Sequence, residues 1–202
     1  MDSGAFTRIT TGKGHLPREE YARLIRRWST CGSLGAAVCQ DWMCESFVLE
    51  KTGLSIADHQ RLTMESYVYL RKAVPETYVM PVLQGYRPEE YRKHVEMYGT
   101  LLEEGAWCGI GSVCKRNSNV NQVFSCLQAV KKVRPDLRLH GFGLKLTALK
   151  CGPVRELLYS SDSMAWSLNA RLHGRDNHHV REPLRFTEKV YRILRMRKGF
   201  LW

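Results

Sequence analysis

Short apolar segments alternate with amphipathic segments along this chain of 202 residues. The apolar segments are nearly continuous in their hydrophobicity, which is typical of strands that are buried on both faces of a parallel sheet. The amphipathic segments between them are long enough to form the helices that connect one parallel strand to the next. This alternation predicts a fold of the α/β class, in which helices cover a mainly parallel sheet.

The predicted strands are residues 34–40, 78–83, 106–113, 137–143 and 157–161. The predicted helices are residues 17–29, 59–74 with a start near Ser55, 88–104, and 120–133. Two of these helices open with proline followed by acidic residues, which favours a helix N-terminus. The helix over 88–104 is expected to stop at Gly105.

A doubly wound sheet and a (β/α)8 barrel both fit this order of elements. Polar and flexible residues follow several predicted strands, at Gln40-Asp41, Gln84-Gly85, Gly111-Ser112, 141–145 and Asp162. A barrel builds its active site from the carboxyl ends of many strands, whereas a doubly wound sheet binds its ligand at one crevice. The distribution therefore favours a barrel of the TIM type.

The predicted strands are too few for eight, and only the end of one more could precede Asp2. We therefore expect a barrel domain over 1–170 that lacks its N-terminal strand or strands in this chain. Residues 171–202 are expected to form a basic loop and a C-terminal helix that packs on the same domain. Residues 183–198 have helical apolar spacing with a basic opposite face, which suits either a solvated closing helix or a surface that contacts phosphates.

The net charge of +11 favours a polyanionic partner without identifying it. No apolar segment is long enough to span a membrane and no signal peptide is recognisable, so the expected location is the cytoplasm. The seven cysteines lack the spacing of a zinc ribbon and are expected to be reduced thiols, mostly in the core. His173, His178 and His179 are expected to be exposed loop residues rather than zinc ligands.

Three aspartates are candidates for chemistry, and each also has a structural interpretation. Asp162 could cap a helix, and Asp2 could belong to a disordered terminus. Asp41 follows a buried strand beside Trp42, where a carboxylate could accept hydrogen bonds from a guanine-like edge. Nearby glycines would let a flat ring approach the backbone, and their spacing is not that of a nucleotide-binding fingerprint.

The segments DSGAF, CQDWMCE, PVLQGY, GIGSVCKR, LHGFGLK and SSDSMAWS occur in this order from Asp2 to about Arg171. Together they resemble the tRNA-guanine transglycosylase superfamily, and most of all its DNA-acting branch, the DpdA-like deazapurine DNA modification proteins. The resemblance implies a (β/α)8 barrel. It also implies exchange of guanine in DNA for 7-cyano-7-deazaguanine (preQ0) or a related base, with other DNA-modification proteins as further partners.

The resemblance assigns roles by motif. It implies that Asp162 is the nucleophile and that Asp2 is the general acid and base. The residues implied to bind the base are Ser3, Gly4, Asp41, Gln84, Gly85, Gly109, Gly111 and Ser112. Residues assigned to the nucleic-acid backbone are Lys115, Arg116, Lys145, Arg192 and Arg195.

Two features depart from the family pattern. The strands that normally precede the DSG motif are replaced by Met1, and the zinc-binding cysteine cluster after the late aspartate is absent. We therefore expect no cofactor, and no metal ligand is assigned. The alternatives are the same exchange on tRNA, a truncated inactive barrel that only binds nucleic acid, and a hydrolase that removes a base without replacing it.

Overall fold

The strands follow one another in space in the same order as in the sequence. In the computed structural model, which describes residues 1–116 and 119–195, β1 (Ala36–Val38) pairs with β2 (Tyr78–Met80). A second sheet has the order β3 (Val82–Leu83), β4 (Trp107–Ile110), β5 (Arg138–Gly141) and β6 (Leu158–Ser161). Every pair is parallel. The mixed α/β class with parallel strands is therefore confirmed.

Pro81 separates β2 from β3, although the two strands continue one line of chain. Proline has no N–H to donate to the ladder. Its carbonyl still accepts a hydrogen bond from the N–H of Gly109 at 2.8 Å, and the carbonyl of Met80 accepts one from Cys39 at 3.1 Å. The interruption therefore divides the ladder without opening a gap between its two halves.

Met1 lies beside β1 on the edge that faces away from β2. Its amino group donates to the carbonyl of Ala36 at 2.5 Å, and its carbonyl accepts from the N–H of Val38 at 2.9 Å. This main-chain pairing holds the first residue at the sheet. Asp2 is thus anchored next to β1, and the expectation of a disordered terminus is wrong.

Ten α-helices are present in the described part of the chain, and most of them connect one strand to the next. They are α1 (Ala5–Thr10), α2 (Arg18–Cys31), α3 (Ser46–Thr52), α4 (Ile56–Ala73), α5 (Pro88–Tyr98), α6 (Val120–Val133), α7 (Leu146–Lys150), α8 (Gly152–Leu157), α9 (Ala165–Leu172) and α10 (Arg181–Arg195). Crossovers between parallel strands are nearly always right-handed, so strands added in one direction place their connecting helices on one face. Consecutive helices pack accordingly: α2 on α4, α5 on α6, and α6 on α8.

The main core lies between the sheet and these helices. Ile25, Leu70 and Leu127 from helices meet Leu83 and Leu139 from strands, and all five are fully buried. Burial of such side chains contributes roughly 1.5–3 kcal/mol each relative to exposure. The contacts between helices and strands in this core therefore stabilise the folded protein. The carboxyl ends of the strands remain available to form a cleft.

Each predicted strand segment contains an observed strand, but several helix predictions need correction. The helix predicted over 88–104 ends at Tyr98, because Gly99 takes a φ of +49° and starts a 3-10 turn instead of continuing to Gly105. No helix was predicted for α3, which begins at Ser46. The same is true of α9, which begins at Ala165, soon after Asp162. The predicted C-terminal segment 171–202 contains a predicted helix over 183–198. Residues 196–202 of this segment, which include the last three of the predicted helix, lie outside the described residues.

The cysteines and histidines mostly follow expectation. All seven cysteines are free thiols, and four of them are buried, whereas Cys31 is exposed. His173, His178 and His179 are exposed, as predicted. None of the helices in the described part of the chain is long and apolar enough to cross a membrane.

Candidate active site

A cleft of about 300 Å³ opens at the carboxyl ends of the strands. Carboxylates from distant parts of the sequence line it, and they are Asp2, Asp41, Glu45 and Asp162. Apolar side chains such as Phe6, Met43 and Phe142 form the rest of the wall. The structure therefore brings carboxylates from the start of the chain and from the end of β6 to one site.

Asp2 is placed by the pairing of Met1 and by the turn that follows it. Gly4 adopts a φ of +70° at the start of α1, a left-handed conformation that favours glycine. One oxygen of Asp2 accepts the N–H of Gly4 at 3.0 Å. Ser3 is buried and its hydroxyl accepts the N–H of Ala5 at 3.3 Å. Ser3 and Gly4 thus shape the turn that presents the exposed carboxylate of Asp2 to the cleft.

Asp41 and Gln84 belong to a buried hydrogen-bonded chain. The amide Nε2 of Gln84 donates to Asp41 at 2.5 Å. The hydroxyl of Ser112 lies 2.8 Å from both Gln84 Oε1 and Glu45 Oε2, and it accepts the N–H of Cys44 at 2.8 Å. A hydroxyl has one hydrogen, so it donates to only one of these two oxygens at a time. The chain fixes the orientation of the Gln84 amide toward Asp41.

The protonation of Asp41 is shifted toward neutral pH. Burial and, next, the negative charge of Asp2 raise the pKa of Asp41 to about 7, although the hydrogen bond from Gln84 lowers it. An aspartate in water has a pKa of about 3.9. A carboxyl with such a pKa exchanges its proton easily at the pH of a cell, and strongly shifted groups in clefts often belong to functional sites.

Asp162 lies just beyond β6 and is held by the neighbouring strand. Its Oδ1 accepts the N–H of Gly143 at 2.7 Å and lies 3.6 Å from Nε2 of His140. Burial raises the pKa of Asp162, but the interactions with His140 and the Gly143 N–H outweigh it, and the pKa is below the usual range. Asp162 is therefore ionised at neutral pH. Met164 rather than Asp162 occupies the cap position of α9.

The glycines of the site allow close packing beneath it. A Cβ on Gly111 would lie 2.1 Å from Nε2 of Gln84, and one on Gly109 would lie 2.3 Å from the ring of Phe142. A Cβ on Gly85 would meet the backbone N of Tyr91 at 3.0 Å. Gly111 and Ser112 line the cleft. Gly85 and Gly109 are not among the described residues that form its wall. The latter two make room for neighbouring protein groups.

We expect Gly111→Ala to displace Gln84 while leaving the protein folded. The new methyl group overlaps the Gln84 amide, which must abandon Asp41 or Ser112. Overpacking of this kind costs about 1–3 kcal/mol. Thermal unfolding measures this loss of stability. Gly35→Ala is the matched control, because a Cβ there meets nothing within 4 Å; equal behaviour of the two variants would contradict the role of Gln84.

The cationic residues predicted to contact a backbone fall into separate groups. Lys115 is exposed, and its Nζ lies 5.1 Å from the ring centroid of Phe6, at the cleft wall. Lys145 is exposed at the start of α7 and lines a neighbouring cavity of about 240 Å³ with Arg185 and Lys189. Arg192 and Arg195 are exposed in the last turn of α10.

Arg116 does not occupy a surface position, contrary to expectation. It is buried, its guanidinium packs 4.2 Å from the ring centroid of Tyr86, and its Nη1 lies 3.3 Å from the sulfur of Cys126. The reason is that the 3-10 turn 114–116 directs this side chain back toward α6. Arg116 also lines a surface cavity with Tyr86 and Asn119, so its contact with a nucleic-acid backbone stays a prediction.

Two residues of the site were missed by sequence reasoning. Glu45 lies in the same segment as Asp41, and His140 lies in the segment that also contains Gly141 and Gly143. A polar side chain in β5 was a usable signal for His140, and an acidic residue in the same motif as Asp41 was one for Glu45. Their partners, Ser112 and Asp162, are far away in sequence, so only the fold reveals the contacts.

Among the described residues, no group of three or more histidine, cysteine, aspartate or glutamate side chains could hold a metal ion. The side chains of residues 1–116 and 119–195 therefore do not fit the zinc site of the superfamily. No chemical step is assigned to a metal.

Comparison with known proteins adds one finding to this geometry. The family model described as DpdA, deoxypurine in DNA protein A, matches residues 1–189, which include every residue of the cleft. No curated protein matches the chain.

Proposed function

The chain belongs to the DpdA family, deoxypurine in DNA protein A, and from this premise we propose that it exchanges guanine in DNA for a 7-deazaguanine base. The family acts on DNA and takes part in its deazapurine modification. The proposed exchange is a pentosyl transfer through a covalent aspartyl–glycosyl intermediate, with preQ0 or a related base as the incoming group. The observation that carries this proposal is the shared cleft of Asp2, Asp41 and Asp162.

We also propose that the fold is of the (β/α)8 type. The strands from β1 to β6 add in one direction, and Met1 pairs on the outer edge of β1. A doubly wound sheet would reverse its order at a switch point. Functional groups at the carboxyl ends of successive strands support the same architecture. In this scheme residues 1–170 are the catalytic domain, and the basic segment 171–195 packs on it.

The first half of the reaction needs a nucleophile and an acid. A carboxylate oxygen of Asp162 forms a bond to C1′ of the nucleotide, and the bond from C1′ to N9 of guanine breaks with its electron pair leaving on the base. Asp2, in its protonated form, supplies the proton that the departing base takes up and is left as a carboxylate, because an anionic purine is a poor leaving group. The low pKa of Asp162 suits the nucleophile, since it keeps the group ionised.

The second half reverses these roles. The incoming base attacks C1′, the bond from C1′ to Asp162 breaks, and the carboxylate recovers its electron pair. Asp2 accepts the proton that the incoming base loses. Acid, base and nucleophile are all side chains of this chain, so we propose that the exchange requires no cofactor.

Asp41 and Gln84 are proposed to recognise the base. The Watson–Crick edge of guanine offers two neighbouring N–H donors, and a carboxylate can accept both. A 7-deazaguanine has the same edge, so one site serves the leaving and incoming bases. The nucleotide must leave the duplex stack to enter the cleft, as for other enzymes that act on bases. Exposed Lys115, Lys145, Arg192 and Arg195 would hold the flanking phosphates.

The decisive experiment incubates the protein with duplex DNA and preQ0 and digests the product to nucleosides for mass analysis. We expect a 7-deazaguanine nucleoside in DNA together with one released guanine per exchange. An abasic site with released guanine would instead indicate a hydrolase. Failure to form any modified nucleoside, with intact DNA recovered, would contradict the proposal.

The same chemistry on tRNA is the second candidate, because the motifs occur across the superfamily, although the missing zinc cluster and the short basic tail argue against it. The assay with tRNA in place of DNA separates the two, since product should form with one of them. Salt-sensitive DNA binding without any covalent adduct would favour the third candidate, a chain that only binds nucleic acid.

A further inference from the structure

His140 stands beside the proposed nucleophile, and a relay of hydrogen bonds leads away from its far side. Its Nε2 lies 3.6 Å from Asp162 Oδ1, and its Nδ1 lies 2.9 Å from the hydroxyl of Ser160. The same hydroxyl lies 2.8 Å from the indole Nε1 of Trp107. The imidazole is mostly buried, with 12% of its side chain exposed. None of these three residues has a role in the chemistry described above.

Counting hydrogens determines the direction of this relay. An indole N–H can only donate, so the Ser160 oxygen must accept from Trp107. The single hydrogen of the hydroxyl is then available, and among the described residues its other contact is Nδ1 of His140. If Nδ1 of His140 also carried a hydrogen, the hydroxyl hydrogen would have no acceptor there. The relay is complete within the protein only when Nδ1 of the neutral ring accepts and Nε2 carries the hydrogen, and this arrangement is therefore favoured.

The charge of Asp162 favours the same tautomer. With a hydrogen on Nε2, the ring presents a donor to the carboxylate, whereas the other tautomer would present a lone pair to a negative oxygen. The separation of 3.6 Å is beyond the range of a hydrogen bond, so the contact must shorten for the donor to engage. Such contacts commonly tighten only when the substrate is bound.

A β-bulge puts the members of the relay on one face. Leu139 pairs with Leu158, but His140 pairs with Ser160, so Tyr159 is the extra residue on β6. In an uninterrupted register, Tyr159 would lie opposite His140. Bulges beside active sites often redirect side chains in this way. Here the bulge places Ser160 against Nδ1 and Asp162 near Nε2 of the same ring.

The two oxygens of Asp162 are consequently in different environments. Oδ1 faces two donors, the N–H of Gly143 and Nε2 of His140. For Oδ2, no hydrogen bond from residues 1–116 or 119–195 is present. Because Asp162 lines the cleft, Oδ2 is the oxygen that is free to attack.

We propose that His140, held as the Nε2–H tautomer by Trp107 and Ser160, is a positioning residue that binds Oδ1 of Asp162 and directs Oδ2 to C1′. The proposal rests on the base-exchange function proposed above and extends it. When Oδ2 bonds to C1′, Oδ1 becomes the carbonyl oxygen of the ester. The same two donors then polarise that carbonyl and make Asp162 a better leaving group for the second half. The hydrogen stays on Nε2 throughout, so no proton is transferred in this step.

The tautomer can be measured without any enzyme activity. NMR spectra of protein with ¹⁵N-labelled histidine at pH 8 distinguish the two neutral tautomers, and the signals of His140 are assigned by their loss in His140→Gln. We expect the Nε2–H form in the wild-type protein and a mixture of tautomers in Ser160→Ala, which removes the donor to Nδ1. The Nδ1–H form in the wild-type protein would overturn the proposal, whatever the outcome of the base-exchange assay.

Kinetics then separate positioning from a general structural effect. His140→Leu should slow formation of the covalent adduct about 10- to 100-fold at saturating DNA, the effect of one hydrogen bond to a charged group, with KM nearly unchanged. His140→Gln retains an N–H donor at the same reach and should recover most of that loss. Adduct formation by His140→Leu at the wild-type rate, or equal loss in the two variants, would overturn the proposal. An inactive wild-type protein would instead contradict the base-exchange function and leave the NMR result to decide the tautomer.

Discussion

Asp162→Asn should abolish base exchange and formation of the covalent adduct. The asparagine amide is nearly the same size as the carboxylate and can still accept the N–H of Gly143, so the fold should persist. It is a poor nucleophile, however, and loss of a covalent nucleophile lowers kcat by at least about 10⁴-fold in enzymes of this kind. The readout is the adduct between protein and DNA on denaturing gels, together with the modified nucleoside.

Glu76→Gln provides the matched control for this variant. Glu76 is exposed and lies just before β2, at the amino ends of the strands and away from the cleft. The same loss of one negative charge should leave the exchange rate unchanged. DNA binding by Asp162→Asn should also survive, because the residues proposed to contact phosphates lie elsewhere. An adduct that still forms in Asp162→Asn would show that another group is the nucleophile.

Asp41→Asn should make the protein more stable and yet less active. In the unfolded chain an aspartate ionises at a pH of about 4, whereas burial and the charge of Asp2 raise the pKa of Asp41 to about 7 in the folded protein. Between these values the folded state retains a proton that the unfolded state has lost. The contribution of Asp41 to stability is therefore fully present below pH 4 and falls as the pH rises to 7.

The size of the effect follows from the same two values. The difference between the two pKa values corresponds to a free energy of about 4 kcal/mol for a fully buried carboxyl. Asp41 retains partial access to solvent, so we expect Asp41→Asn to gain roughly 2 kcal/mol above pH 7, or a Tm higher by about 4–8 °C. Below pH 4 the two proteins should unfold alike. Thermal unfolding at pH 4 and pH 8 measures this difference, and a gain that is equal at both values would contradict the ionisation argument.

The same variant should discriminate poorly between bases. Asparagine offers one acceptor where the carboxylate offers two, so one N–H of the guanine edge loses its partner. An unpaired buried donor costs about 1–3 kcal/mol, and we expect kcat/KM for exchange to fall about 10- to 100-fold. Wild-type kcat/KM in Asp41→Asn would show that Asp41 does not recognise the base. A stabilised but less active variant would identify Asp41 as a group retained for function at the expense of stability.

Much of the fold follows from local sequence. The apolar segments determine where the strands lie, because a strand buried on both faces has few other sequences available to it. Pro88 with two acidic residues behind it predicts the start of α5, and the terminus of that helix was missed because Gly99 ends it before Gly105. Short helices such as α1, α7 and α8 have too few turns to display a helical period, so they could not be predicted.

For the site, the sequence alone indicated the three aspartates, although not Glu45, and, through the order of its motifs, the family. The tertiary structure decided how they are arranged. It anchors Asp2 through the pairing of Met1 with β1, buries Arg116, and raises the pKa of Asp41 by burial and by the charge of a residue 39 positions earlier. Proton affinity depends on solvent access and on charges nearby in space, and hydrogen bonds depend on distances between atoms. Solvent access, nearby charges and interatomic distances are set only after the parallel strands have brought remote segments to one edge of the sheet.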